Sequence, residues 1–153
     1  MPGRPRRILL VCLGNICRSP TAEEVLRAHA RRQGLDLLLD SAGTADYHVG
    51  AAPDPRSVHH ARLRGYDLGG LRARQVSPED FAAFDLVLAA DEQNLALLRR
   101  LCPPEHRPKL ALFLGDEGLP DPYYGDATDF EKVLDLVEKR AAELVAAWSR
   151  ATD

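Results

Sequence analysis

The chain is most constrained by an eight-residue stretch, CLGNICRS at residues 12–19, that separates an apolar run from a helical pattern. The apolar run, ILLV at residues 8–11, is typical of a buried strand. We expect Ser19 to be the N-cap of the following helix and Pro20 its first residue, although the Ser19 hydroxyl could also donate to the Cys12 sulfur. The stretch therefore forms a tight loop between a strand and a helix, where open α/β sheets bind their ligands.

The residue types of this loop favour an anionic ligand. A helix start offers unpaired N–H groups and the positive end of the helix dipole. Gly14 and Asn15 both tolerate left-handed backbone angles, which turn successive N–H groups toward one point. Arg18 can grip an oxyanion with two parallel hydrogen bonds, and together with the N–H groups it stabilises a thiolate. We therefore predict that Cys12 is a nucleophile and that the loop wraps around one tetrahedral group.

The loop and the cysteines of this chain have three other possible roles besides nucleophilic catalysis. A cysteine that ends a buried strand is often only a small core residue. A nucleotide-binding loop of the Walker type needs Gly-Lys-Ser or Gly-Lys-Thr, which this loop lacks. A zinc site is disfavoured, because Cys12 and Cys17 lack the usual close spacing and Cys102 stands with His106 in an isolated, proline-flanked position.

Composition predicts one globular domain over residues 1–153, with residues 1–6 as a flexible N-terminus. Hydrophobic residues make up 45% of the chain and charged residues 28%, enough for one sizeable core. Apolar runs are too short to span a membrane, and the net charge of −3 gives no reason to expect nucleic acid as a partner. We predict a cytoplasmic protein, because the basic start lacks a signal-peptide core and three cysteines do not suit a secreted disulfide framework. We also expect the protein to be a monomer.

Apolar runs alternate with helical patterns along the whole chain. The predicted strands cover residues 8–11, 35–40, 85–90 and 109–114. Helix starts are indicated by Asp54-Pro55 and Asp91-Glu92, and by capping boxes over residues 77–80 and 128–131. This alternation predicts an α/β domain of three layers, with a parallel sheet covered by helices on both faces. The order of the strands does not follow from the pattern.

A second segment, LPDPYYG at residues 119–125, offers an acid for the same chemistry. A thiolate that displaces an alkoxide or phenoxide from phosphorus needs a group that protonates the leaving oxygen. The segment follows the last predicted strand, so it lies at the same edge of the sheet as Cys12. Asp121 is held between two prolines, which restrict its backbone. Asp-Pro is more commonly a turn, so these residues alone make Asp121 a candidate.

Both segments resemble signatures of the low-molecular-weight protein tyrosine phosphatases. Residues 11–20, VCLGNICRSP, resemble that family's phosphate loop, and DPYY at residues 121–124 resembles its second signature. The resemblance covers nearly the whole chain through shorter matches at residues 40–44, 53–56, 73–76, 84–85 and 91–95. It implies a single flavodoxin-like phosphatase domain with a four-stranded parallel sheet in the order 2-1-3-4.

The resemblance also implies a mechanism, hydrolysis of phosphotyrosine in proteins and of small aryl phosphates through a cysteinyl phosphate. It makes Cys12 the nucleophile, Arg18 the oxyanion ligand and Asp121 the general acid. The phosphate would be held by the loop residues Leu13, Gly14, Asn15, Ile16, Cys17 and Arg18. Neither a metal nor a cofactor is expected, because Arg18 and the loop amides carry the charge stabilisation.

Residues that support the loop follow from the same resemblance. Ser41 resembles a serine that holds the family's phosphate loop through its asparagine, here Asn15, and Ser19 lies in the same signature. The family often carries a histidine that bonds to this asparagine, and Leu71 stands at its position. We therefore expect Ser41 alone to brace the loop.

Cys17 has two possible roles. The resemblance implies a reversible disulfide between Cys12 and Cys17, which shields the nucleophile from over-oxidation. The residues alone are equally compatible with a small side chain that faces the core behind the loop. We favour the redox role.

Three tyrosines, Tyr47, Tyr123 and Tyr124, suggest a slot for a flat aromatic ring. Tyr123 and Tyr124 would be its walls beside Asp121, and the family resemblance implies that Tyr47 lies on its rim. Of the histidines, only His48 is placed near this pocket. The expected partners are tyrosine-phosphorylated proteins, and inorganic phosphate as product and inhibitor.

Other functions remain as alternatives. Protein arginine phosphatases resemble this sequence but carry threonine where it has the bulkier Ile16. Arsenate reductases share the fold but need two more cysteines to relay a disulfide, and only Cys17 and Cys102 remain here. A catalytically silent phosphate-binding module is the alternative outside enzymes, and the intact catalytic residues argue against it.

Overall fold

Strands and helices alternate as the apolar pattern predicts. The computed structural model describes residues 4–151. Within them the strands are β1 (Arg7–Cys12), β2 (Leu38–Gly43), β3 (Leu86–Ala89) and β4 (Leu110–Leu112). The α-helices are α1 (Arg18–Arg32), α2 (Pro55–Leu63), α3 (Pro78–Ala83), α4 (Glu92–Leu101) and α5 (Ala127–Arg150), and a 3-10 helix, Pro104–Lys109, precedes β4.

The strands form one parallel sheet in the order β2-β1-β3-β4, which confirms the expected topology. Successive apolar side chains of the central strand β1 point to opposite faces of the sheet, and helices cover both faces, so the strand is buried on both sides. Ile8 and Leu10 belong to the core shared with α1 and α5, whereas Leu9 and Val11 belong to the core shared with α3 and α4. The strands are parallel, so all their carboxyl ends meet at one edge, and Cys12 lies there beside Gly43 of β2.

The start of α1 differs from the prediction. The helix begins at Arg18, and its N-cap residue is Cys17 rather than Ser19. Pro20 therefore occupies the third helical position, where its missing N–H is harmless because first-turn N–H groups have no partner inside a helix. The expectation of a Ser19 cap is wrong because the Ser19 hydroxyl makes contacts within the loop instead.

Two further predicted element boundaries were wrong, and two predicted helix starts were confirmed. The box that opens α5 consists of Asp126 and Asp129, not of residues 128 and 131. Strand β2 starts three residues later than predicted, because the Leu35 N–H still bonds to the Ala30 carbonyl at the end of α1. Asp54 caps α2 as expected, and the capping box over residues 77–80 opens α3.

The first described residues are tied to the sheet. Of the N-terminal segment expected to be flexible, residues 1–3 lie outside the described residues. The N–H groups of Arg6 and Arg7 each donate to the Asp85 carboxylate at 2.9 Å, and the Arg6 carbonyl accepts from the Leu38 N–H at 2.8 Å. Over residues 4–151, the helices lack a segment long and apolar enough to cross a membrane.

Candidate active site

A cleft of about 300 Å³ opens at the carboxyl edge of the sheet. Its lining brings together the loop at residues 12–18, the segment around Asp121 and two aromatic side chains from the connection after β2: Cys12, Leu13, Gly14, Ile16, Cys17, Arg18, Tyr47, His48, Asp121, Tyr123 and Tyr124. Cys12 ends β1, Arg18 begins α1, and Asp121 lies between β4 and α5. Two separate parts of the chain, the 12–19 loop and the segment around Asp121, therefore supply the predicted catalytic residues to one cavity.

The carbonyl groups of the loop are held by its surroundings. The carbonyls of Cys12, Leu13 and Ile16 accept hydrogen bonds at 2.9 to 3.0 Å from N–H groups of the segments after β2, and the Cys17 carbonyl accepts one at 3.3 Å within α1. In a trans peptide bond the next N–H points opposite to the carbonyl, and the described chain contains no cis bond. The N–H groups that follow these carbonyls therefore point away from those partners, as an anion nest requires.

Asn15 fixes the shape of the loop. It has a left-handed backbone with φ of 57°, and its side chain is buried. Its amide oxygen accepts from the Arg74 N–H at 3.0 Å, and its amide nitrogen donates to Ser19 Oγ at 2.8 Å and to Ser41 Oγ at 2.9 Å. The expectation that Ser41 alone braces Asn15 is therefore wrong, and a backbone N–H of Arg74 supplies a partner that Leu71 cannot.

The same amide sets the direction of hydrogen bonding toward the Cys12 sulfur. Because Ser19 Oγ accepts from Asn15, its own hydrogen can be donated to Cys12 Sγ, which lies 3.0 Å away. The Asn15 N–H points to the same sulfur at 3.3 Å. Donors directed at a sulfur stabilise its thiolate. The side chains of Asn15, Ser19 and Ser41 thus support the loop from within and behind it, rather than lining the cleft.

Glu23 is a functional candidate that the sequence analysis missed. Its side chain is 3% exposed, and it accepts from Ser41 Oγ at 2.7 Å and from Arg27 at 2.7 Å. Burial raises the pKa of Glu23 above its ordinary value, against the lowering effect of the hydrogen bonds from Arg27 and Ser41. A signal was present, because its spacing from Leu26 and Ala30 places Glu23 on the buried stripe of α1.

Arg18 is held from behind by acceptors that the sequence did not identify. Its Nη1 donates to Asp91 Oδ2 at 2.7 Å and to the Leu119 carbonyl at 2.9 Å. Its Nη2 lies 3.6 Å from Asp121 Oδ2. Asp91 was expected only as part of a helix start, and it does cap α4 through the Asn94 N–H. Its position directly after β3, the neighbour of β1, is the signal that could have placed it beside Arg18.

Asp121 lies on an exposed segment with few bonds of its own. Its side chain is 40% exposed, and Oδ1 accepts from the Tyr123 N–H at 3.1 Å. The segment starts at the buried Leu119, whose N–H donates to the Ala90 carbonyl at 2.7 Å. Asp121 is therefore placed by the anchors of its segment rather than by a buried network around its carboxylate.

Aromatic rings form one side of the cleft. Tyr47, His48, Tyr123 and Tyr124 follow one another with ring centroids 4.9 to 6.4 Å apart, in edge-to-face or tilted arrangements. His48 lies at the pocket, as expected. Gly14 makes room for it, because a Cβ at that position would come 2.9 Å from His48 Cδ2.

Cys17 is packed between the cleft and the core. Its neighbours in a small apolar cluster are Ile16, Ala73 and Phe130. Burial raises the pKa of Cys17 to about 12, so its thiol stays protonated near neutral pH. All three cysteines are free. The packing agrees with the core interpretation of Cys17, and the disulfide with Cys12 stays a prediction.

Comparison with known proteins identifies relatives over the full length of the domain. A family model described as low molecular weight phosphotyrosine protein phosphatase matches residues 7–152. A low molecular weight protein-tyrosine-phosphatase of Streptomyces coelicolor is 42% identical over 152 residues, which cover 92% of this chain and 92% of the relative. A low molecular weight phosphotyrosine protein phosphatase of Sus scrofa is 42% identical over 138 residues, which cover 84% and 86%. The crystal structure of a low molecular weight phosphotyrosine phosphatase from Vibrio cholerae matches with a TM-score of 0.90 at 37% identity, over 95% of this chain and 97% of that one.

Proposed function

Because the chain belongs to the low molecular weight phosphotyrosine protein phosphatases, we propose that its cleft hydrolyses phosphotyrosine in proteins through a cysteinyl-phosphate intermediate. One observation carries the proposal. The 12–19 loop supplies Cys12 and Arg18, the segment after β4 supplies Asp121, and all three line the same cavity, with hydrogen-bond donors aimed at the Cys12 sulfur. A thiolate, an oxyanion ligand and an acid are the groups that this chemistry needs.

In the first step the phosphate monoester is bound by the N–H groups of residues 13–18 and by the Arg18 guanidinium. The Cys12 sulfur attacks phosphorus and forms the S–P bond while the P–O bond to the leaving group breaks. Asp121 gives its proton to the leaving oxygen, which departs as a neutral phenol. The N–H groups and the guanidinium stabilise the charge on the oxygens of the transferred group, because they are in place before the reaction begins.

In the second step water attacks the cysteinyl phosphate. The Asp121 carboxylate accepts a proton from that water as the new P–O bond forms. The S–P bond breaks, its electron pair returns to the Cys12 sulfur, and inorganic phosphate leaves. The Ser19 hydroxyl supports the returning thiolate, since it lies 3.0 Å from the sulfur.

The aromatic side of the cleft favours an aryl ester over an alkyl ester. A phenyl ring bound above the 12–19 loop would lie among Tyr47, His48, Tyr123 and Tyr124, which supply apolar faces and edges for stacking. Ile16, 9% exposed, adds an apolar group to the lining. The proposed partners are tyrosine-phosphorylated proteins, with inorganic phosphate as product and competitive inhibitor. A monomeric state and a cytoplasmic location stay predictions from the sequence.

Hydrolysis of para-nitrophenyl phosphate, and of peptides that carry phosphotyrosine, phosphoserine or phosphoarginine, tests the proposal directly. The assays contain EDTA and compare the wild type with Cys12→Ser. We expect turnover of the nitrophenyl and phosphotyrosine substrates by the wild type and abolished turnover in the variant, which should still bind phosphate.

Each alternative predicts a different pattern in these assays. Preference for phosphoarginine would keep the cysteine chemistry and overturn the substrate. Substantial activity in Cys12→Ser would overturn the nucleophile. Phosphate binding without any hydrolysis would indicate a silent module.

A further inference from the structure

We propose that Arg56 is a positioning residue that holds the acid segment, residues 119–125, in place so that Asp121 reaches the leaving oxygen. The inference rests on the proposed role of Asp121. Arg56 belongs to α2 and is not part of the cleft lining. It acts through the backbone of the acid segment and through Asp54.

On one side Arg56 binds the acid segment at its main chain. Its Nη2 donates to the Tyr123 carbonyl at 2.9 Å, and its Nη1 lies 3.5 Å from the Gly125 carbonyl. Tyr123 is also the residue whose N–H holds Asp121 Oδ1 at 3.1 Å. The position of the Tyr123 backbone therefore helps to set where the Asp121 carboxylate lies.

On the other side Arg56 is bound to a residue that is fixed to the 12–19 loop. Asp54 accepts from Arg56 Nε at 3.1 Å and from Nη2 at 2.9 Å, and its side chain is only 7% exposed. The Asp54 N–H donates to the Ile16 carbonyl at 2.9 Å. The Asp54–Arg56 pair thus connects the phosphate-binding side of the cleft with the side that carries the acid.

Two aromatic rings contact the Arg56 guanidinium. Its central carbon lies 4.6 Å from the centroid of the Phe130 ring and 5.7 Å from that of Tyr123. A planar fork that stacks and donates in two directions is a property of arginine, and lysine offers only a point charge. Lysine at this position should therefore retain only part of the positioning function.

The acid segment has a second anchor at its other end. Leu119 is held by the Ala90 carbonyl and by Arg18, whereas Tyr123 and Gly125 are held by Arg56. Asp121 lies between these two anchors with an exposed side chain. Loss of the Arg56 anchor should therefore displace the acid and leave the phosphate site intact.

The test uses a series of aryl phosphates whose leaving phenols range from weakly to strongly acidic. We expect Arg56→Ala to lower kcat/KM by about tenfold for phenyl phosphate and only slightly for dinitrophenyl phosphate, because misplacement of an acid matters most for poor leaving groups. The inhibition constant of inorganic phosphate should not change. Arg56→Lys should give an intermediate loss, and it keeps the test available if Arg56→Ala does not fold. Arg62→Ala, at an exposed arginine of the same helix, is the matched control.

A double-mutant cycle separates this inference from the function on which it rests. On an Asp121→Asn background, Arg56→Ala should cause no further loss, because the group it positions is already absent. Additive losses, or an equal loss for every leaving group, would overturn the role of Arg56 alone. Absence of any leaving-group dependence in Asp121→Asn itself would overturn the proposed acid, and the role of Arg56 with it.

Discussion

The two sides of the cleft are built differently. Most of the 12–19 loop is buried, its carbonyls at Cys12, Leu13 and Ile16 are bonded to the segments after β2, and the Asn15 side chain joins it to Ser41 and Arg74. The acid segment is more exposed, and Asp121 and Tyr124 carry much of its accessible surface. The loop is thus fixed by its own interior contacts, and the segment by anchors at its two ends.

The difference matches the tasks that we propose for the two sides. A site that binds a charged group works best when its dipoles are fixed in advance, and a largely buried loop held by hydrogen bonds to its surroundings provides that. An acid must exchange protons with water and reach substrates of different shape, which an exposed carboxylate on an anchored segment allows. Substitutions in the loop should therefore lower the activity toward all substrates, whereas the effect of substitutions in the acid segment should depend on the leaving group.

The largest effect is expected from a change on the loop side. Arg18→Lys removes the fork that now binds Asp91 and the Leu119 carbonyl and that would grip the phosphate. We expect kcat/KM to fall about 100- to 1,000-fold, as for other lost oxyanion donors, and the loss should be large for good leaving groups as well as for poor ones. Steady-state kinetics with aryl phosphates check this, with Arg99→Lys at an exposed position of α4 as control. A loss confined to poor leaving groups would contradict the division of tasks.

The next largest effect is expected on the acid side. Asp121→Asn should lower kcat/KM by about 100-fold for phenyl phosphate, because a general acid contributes at least that much to a poor leaving group. The loss should be small for dinitrophenyl phosphate, and binding of inorganic phosphate should be retained. Asp116→Asn, at an exposed residue of the same connection, serves as control. An equal loss across the series would count against Asp121 as the acid.

A smaller effect is expected from the buried end of the loop network. In Glu23→Gln an amide replaces the carboxylate that accepts from Ser41, so the Ser41 hydroxyl loses its charged acceptor and supports the Asn15 amide less firmly. We expect iodoacetate to alkylate Cys12 about tenfold more slowly at neutral pH, which corresponds to one charge-assisted hydrogen bond.

The neighbouring carboxylate provides the control for this change. Glu24 also pairs with Arg27 but does not bond to Ser41. In Glu24→Gln, iodoacetate should therefore alkylate Cys12 at the wild-type rate. Equal rates in both variants would remove Glu23 from the network.

The smallest effect on activity is expected at Cys17, whose influence should appear in the pH dependence of stability. Burial raises the pKa of Cys17 from 9.0 to about 12, so its thiol is favoured in the folded state. The stability that this provides is complete below about pH 9 and is lost as the pH rises toward 12. Relative to Cys17→Ala, the wild type should lose about 1.4 kcal/mol of unfolding free energy per pH unit in that range. Denaturant unfolding at several pH values measures the difference, and parallel slopes would contradict it.

Much of the fold could be predicted because its signals are local. Alternation of apolar runs with helical patterns gave the layers, and the caps at Asp54 and over residues 77–80 lie within a few residues of the helices they start. The same applies to the loop that carries Cys12 and Arg18. Its position at the edge of the sheet follows from the strand before it and the helix after it.

Where local signals competed with distant partners, the prediction was wrong. Ser19 has the chemistry of an N-cap, but its hydroxyl bonds to the Cys12 sulfur and to the Asn15 amide, and α1 starts earlier. Bracing of the loop by Ser41 alone was wrong for a similar reason. The Arg74 N–H reaches Asn15 across 59 positions of the chain, a separation at which propensities carry no information.

The sequence by itself therefore determined the class of fold, the loop, the nucleophile candidate and the acid candidate, because each depends on residue type and short-range spacing. Only the tertiary structure decided which groups hold them: Glu23 behind the loop, Asp91 behind Arg18, and Arg56 beneath the acid segment. These three are ordinary charged side chains on helices or at their caps. They gain their roles when a parallel sheet brings the ends of its strands, and the helices beside them, to one edge.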